Sequence, residues 1–93
     1  MKISEEKKKK ICEQILLYLF QENPKPLFTS YVAKEIARDE EFTKKLLLEL
    51  KDQKLILEIT KNKEGVSYVR RSRWKLSPIT YETYNKRQIK SSF

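Results

Sequence analysis

Histidine is absent from this 93-residue chain, and cysteine and glycine occur once each, as Cys12 and Gly65. Without a second cysteine no internal disulfide can close, so nothing suggests a secreted, cross-linked scaffold. One cysteine and no histidine are too few ligands for a Cys/His zinc site within one chain. The usual nucleophile–base pairs of enzymes cannot be assembled, and a glycine-rich phosphate loop needs more than Gly65. Neither enzymatic activity nor a metal or other cofactor is expected. Long apolar runs are missing too. The longest, ILLYLF over residues 15–20, falls far short of the ~20 residues a membrane span needs. The start, MKISEEKKKK, puts basic residues ahead of that run as a signal peptide does. The run is too short and interrupted, and no small-residue cleavage site follows. The expectation is an intracellular protein.

Positive charge is what the chain has in excess: 21 Lys+Arg against 13 Asp+Glu, a net +8. Such a balance suits a polyanionic partner, although a solvated lysine-rich surface gives the same totals. The length predicts one small domain over 1–93. Its modest core makes a homodimer, which buries further apolar surface, a natural state.

Local patterns predict an α+β fold. A first helix is expected over 4–22, with Ser4 as N-cap, Glu5 and Glu6 in the first turn, and Ile11, Ile15 and Leu19 recurring every fourth residue. Cys12 falls on that apolar face, where an inert buried thiol is expected. Asn23, Pro24 and Pro26 end the helix. Leu27 and Phe28 suit a brief edge strand. Thr29 or Ser30 then caps a second helix over 30–37, whose buried stripe is Val32, Ala33, Ile36 and Ala37. After a polar break, Asp39 caps a third helix over 40–53. At about 100° per residue, Phe42, Thr43, Leu46, Leu47 and Leu50 share the core arc, while Glu41, Lys44, Lys45, Leu48 and Asp52 face outward.

A hairpin is expected over 55–76. Leu55, Leu57 and Ile59 alternate with Ile56, Glu58 and Thr60. The turn Asn62-Lys63-Glu64-Gly65 supplies a glycine for the left-handed position of a bulge. The return strand puts Val66, Tyr68, Trp74 and Leu76 on one face and Val69, Arg71, Arg73 and Lys75 on the other. Because it outruns its partner, Trp74 and Leu76 are expected to pair with Leu27–Phe28 instead. Ser77 and Pro78 then cap a C-terminal helix over 78–90, with Tyr81, Tyr84 and Gln88 at helical spacing.

Two helices joined by a tight break, with a hairpin alongside, can present the second helix to a nucleic-acid groove. The charge is placed unevenly. Residues 59–76 hold six cations against Glu64, a net +5, whereas residues 38–58 come to −1. Phosphate contacts give affinity and base-edge contacts give sequence choice, so the hairpin is equipped for affinity. Arg70, Arg71 and Arg73 crowd one strand, a costly placement without an anion. Lys44 and Lys45 can meet bases or phosphates, or pair with Glu40 and Glu41 four residues earlier. Glu40 and Glu41 suit the helix dipole, and a glutamate can also accept from cytosine. Ser30 and Tyr31 begin the second helix, where amides suit a phosphate and Ser30 also suits a cap. Leu48 can touch a thymine methyl or a partner helix.

The segments LLLELKDQKLILEIT and RWKLSPITYETY resemble the winged helix-turn-helix domain of PadR- and MarR-like transcription regulators over about residues 11–85. Trp74, Leu76, Ser77 and Pro78 match its strand-to-helix passage. Lys54 stands where many members have glycine, and Thr80 stands where glycine often follows the proline. The resemblance implies a three-helix core, a β-hairpin wing, a C-terminal helix and double-stranded DNA as partner. It implicates Thr43, Lys44 and Lys45 in the major groove and Lys61, Lys63, Arg70, Arg71 and Arg73 in the wing. It also implies a homodimer seam from the first helix with Tyr81, Tyr84 and Ile89. Size and Lys/Glu-rich style are similar to small regulators of archaea and their viruses. Residues 28–69 are also similar to a eukaryotic-type family of small-subunit ribosomal proteins, which implies RNA. A protein-interaction module is the third alternative, since a fold does not fix a function.

Overall fold

The computed structural model describes residues 4–60 and 72–91, the last five by backbone alone, and among them are three antiparallel strands and four helices. The turn expected at 62–65 and the strand residues Val66, Tyr68 and Val69 lie outside them. The first helix, α1 (Glu5–Glu22), starts where the Ser4 hydroxyl accepts from the Lys7 amide at 3.2 Å. Glu5 and Glu6 lie at its positive dipole end. Ile11, Ile15, Leu16 and Leu19 are buried along one face. Cys12 beside them is only half-buried.

Strand β1 (Leu27–Phe28) leads directly into α2 (Thr29–Ile36). The expected cap is corrected here. Phe28 occupies the N-cap and no side chain caps the helix. The Thr29 hydroxyl instead accepts from the indole N–H of Trp74 at 2.8 Å. Helix α3 (Glu40–Asp52) follows, then β2 (Ile56–Ile59), β3 (Arg73–Leu76) and α4 (Pro78–Ser91). Ser77 begins α4, with its carbonyl accepting from the Tyr81 amide at 2.9 Å and its hydroxyl 2.8 Å from that of Thr80.

The sheet order is β1-β3-β2. Trp74 lies opposite both Leu27 and Glu58, and Leu76 lies opposite Ile56. The return strand therefore pairs on both edges, and does not leave β2 for β1 as the sequence suggested. The burial phase of β2 also differs from a simple apolar reading. Ile56 is 1% exposed while Leu57 is 42% exposed, so the inner face is that of Ile56 and Glu58. Trp74, Ile15 and Leu47 have 0% exposure and join Leu27, Val32, Ile56 and Leu76 in one core beneath the helices. Tyr81 and Tyr84 pack on Phe20 with ring centroids 5.4 and 5.7 Å apart. Rings expected in a seam between copies are thus engaged within the chain. The Ile89 side chain lies outside the described residues.

Scarcity of glycine leaves a mark at two helix ends. Ala37 (φ 56°) and Lys54 (φ 63°) are left-handed. At each, two backbone bonds close the helix: Arg38 to Ala33 and Ala37 to Lys34, then Leu55 to Leu50 and Lys54 to Lys51. A side chain in this conformation costs about 1–2 kcal/mol, and glycine returns part of that through its more flexible unfolded chain. Lys54→Gly is therefore expected to stabilise the fold by roughly 0.5–1 kcal/mol, raising the melting temperature by about 2–8 °C in a thermal scan. A lower melting temperature would contradict this account of the helix end.

Candidate nucleic-acid interface

The break between α2 and α3 comprises Ala37, Arg38 and Asp39. Ala37 turns the chain through its left-handed backbone. Arg38 lays its guanidinium 5.6 Å from the centroid of the Phe42 ring. Asp39 fixes the start of α3 twice: its carboxylate accepts from the Phe42 amide at 2.7 Å and its carbonyl accepts from the Thr43 hydroxyl at 2.7 Å. The short break holds α2 and α3 together as a helix-turn-helix unit, with Val32, Ile36, Leu46 and Leu47 in the common core.

Burial separates the expected α3 contacts. Lys44 and Lys45 are exposed, and Leu48 is 38% exposed beside them. Thr43 has 0% exposure and its hydroxyl is already bonded. The groove role that family resemblance implied for Thr43 is thus corrected: the residue faces the core, where the helical wheel placed it. Among the described residues, Lys44 and Lys45 do not close the expected pairs with Glu40 and Glu41. Ion pairs seen among the described residues include Lys8–Glu49 at 2.9 Å, between α1 and α3, and Lys51–Glu58 at 2.8 Å, between α3 and β2.

At the start of α2, Ser30 is exposed and Tyr31 is 50% exposed, its ring edge-on to Phe28 at 5.6 Å. Arg73 is half-buried on the central strand. Lys61, Lys63, Arg70 and Arg71 lie outside the described residues. The structure thus brings Lys44, Lys45 and Leu48 onto one face and places Ser30 and Tyr31 at the neighbouring helix start.

One cluster was invisible in the sequence. The Glu58 carboxylate accepts from both Lys51 and the Ser72 hydroxyl. These bonds, Lys51 first, hold the Glu58 carboxyl below its usual value of 4.5. A lowered folded-state pKa means that the stabilisation is complete above about pH 4.5 and is lost as pH falls through the lowered value. Urea midpoints from pH 7 to 3 are expected to fall slightly less steeply for Glu58→Gln than for the native chain. An identical slope would show that the carboxylate gains nothing from folding.

Away from this face, a groove of about 500 Å³ separates the first turns of α1 from the end of α3, with Cys12, Leu16, Leu50 and Leu55 among its lining. Burial pushes the Cys12 thiol pKa up, so the thiol form is favoured. Among the described residues no group of three His, Cys, Asp or Glu could hold a metal, and no helix is long and apolar enough to cross a membrane.

No protein-family model and no curated protein matches the chain. Solved structures do. The S. aureus MepR–DNA complex aligns with a TM-score of 0.67 at 20% identity, covering 94% of this chain and 77% of that one. The fold is a winged helix. A mutant of Lactococcus lactis ZitR in apo form shares it, with a TM-score of 0.68 and 17% identity over 94% of this chain and 61% of that one. So does human N-acetylserotonin methyltransferase in complex with SAM, at a TM-score of 0.56 and 18% identity, over 81% of this chain but 21% of the enzyme. The chain spans about half to three-fifths of the MepR and ZitR mutant chains that it matches.

Proposed function

We propose that this winged helix binds double-stranded DNA sequence-specifically as an intracellular, non-enzymatic transcription regulator, and that it works as a homodimer. In this reading α3 enters the major groove with Lys44 and Lys45. Ser30 and Tyr31 meet a phosphate at the start of α2. The basic wing, with Lys61, Lys63, Arg70, Arg71 and Arg73, lies along the backbone. The matched structures support this reading, since one is a complex of MepR with DNA and another is MepR in a DNA-binding conformation. The observation that carries the reading most is the joining of α3 to the wing by Lys51 and Glu58 at 2.8 Å. It links the last turn of α3 to β2, the first strand of the hairpin, which supports a single polyanion engaging both. Two such chains related by a twofold axis suit half-sites about one turn, ~34–36 Å, apart.

The test is a gel shift of the full chain on duplexes selected from a random library, with salt titration. Binding should fall steeply with salt and prefer the selected sequence. Binding indifferent to both would end the reading. A second reading, a protein-interaction module, draws on the acidic start of α3, where Asp39, Glu40 and Glu41 are exposed. A chain with no affinity for any nucleic acid at low salt would favour it, and selective recovery with ribosomal subunits would favour RNA.

A further inference from the structure

Glu58 bonds to both the third helix and the returning arm of the hairpin. It lies on β2 opposite Trp74, on the inner face beside buried Ile56, and its side chain is 17% exposed. One carboxylate oxygen accepts from Lys51 Nζ at 2.8 Å, and the other accepts from the hydroxyl of Ser72. Lys51 belongs to the last turn of α3, and Ser72 immediately precedes β3. Lys44, two turns earlier on the outward face of α3, lies within the field of the same carboxylate. One acid thus spans the reading helix, the outgoing strand and the returning strand. Lone lysine–carboxylate bridges near the surface add little stability. Its bonds do link three elements and engage one cation.

We propose that Glu58 is a positioning residue that sets the wing against α3 and, by holding Lys51, keeps that ammonium from non-selective phosphate contact. The proposal rests on the DNA-binding reading and adds to it a device for sequence discrimination. Phosphate contacts raise affinity for every sequence alike, whereas base contacts need the reader in register. A carboxylate at this junction serves discrimination on both counts. It fixes the register of two elements, and it withholds one sequence-blind contact. Glutamine at 58 keeps an acceptor for Ser72 but gives up the charge that retains Lys51.

The experiment measures the full chain by fluorescence anisotropy on two duplexes, one selected from a random library by the native protein and one scrambled, across 50–200 mM salt. Glu58→Gln should tighten binding to the scrambled duplex by about 3-fold and steepen its salt slope by about 0.9, as one added phosphate contact does. Its preference for the selected duplex should fall several-fold. Adding Lys51→Ala to Glu58→Gln should abolish the gain on the scrambled duplex but leave the preference low. A purely structural role predicts something else: both duplexes weakened alike, in step with a lower melting temperature. That result, or a Glu58→Gln chain indistinguishable from the native one, would overturn the proposal while leaving the DNA reading intact. A native chain that binds neither duplex would overturn both.

Discussion

Trp74→Ala is expected to cost about 3–5 kcal/mol of stability and to lower the melting temperature by at least about 12 °C, unless it prevents folding altogether. Trp74 has no exposed surface and sits in the central strand, with Leu27 opposite on one edge and Glu58 on the other. Truncation therefore opens a cavity that two strands must stay paired around. It also strands the Thr29 hydroxyl, which accepts from the indole at 2.8 Å. A domain of this size has total stability on the order of 5–10 kcal/mol, so the loss is a large share of it. Two milder variants separate the contributions. Trp74→Phe retains much of the ring volume and loses the N–H donor. Thr29→Val keeps the ring and leaves the buried N–H without its acceptor, which costs about 1–3 kcal/mol. Thermal and urea melts should rank the three with alanine lowest. A marginal change in Trp74→Ala would mean that the ring does not organise the core.

Legibility of the fold followed the range of the interaction. Ser4 and Asp39 announced α1 and α3 because an N-cap bonds three residues ahead, and both do so here. The core arc of α3 was readable from its period alone. Thr43 is instructive: the wheel placed it inside and the family pattern placed it in a groove, and its 0% exposure follows the wheel. What failed was non-local. Thr29 looked like a cap, but its hydroxyl meets an indole 45 positions later. The register of β2 depends on the turn at Lys54, where the sequence offers no glycine as a sign of left-handed backbone. Glu58 looked like the polar half of an alternating strand, yet it lies on the inner side with Ile56. Its partners, Lys51 and Ser72, stand 7 and 14 positions away across element boundaries, where no helical or strand period reaches. The outward setting of Lys44 and Lys45 was legible, whereas the device joining their helix to the wing was not.

Replacing Lys61, Lys63, Arg70 and Arg71 together by alanine is expected to weaken duplex binding by roughly 30- to 1000-fold at physiological salt. The argument rests on charge placement, since these four residues supply most of the net +5 of positions 59–76. Each lost phosphate contact should also make the salt slope shallower by about 0.9, to a limit near 3.6 for all four. Arg73 is left in place because it belongs to the central strand, opposite Phe28 and Ile59, and its loss would mix folding with binding. A matched control removes the same charge elsewhere: Lys7, Lys9, Lys10 and Lys86, all exposed on α1 and α4, changed to alanine. Both variants halve the net charge of +8. If overall charge merely draws the chain to DNA, the two lose affinity equally and their salt slopes flatten alike. If the wing grips the backbone, the control loses no more than about 3-fold, as for a single contact, and keeps nearly the native slope. Equal losses in a salt titration of both variants would remove the wing from the interface and return the charge to a general role in association.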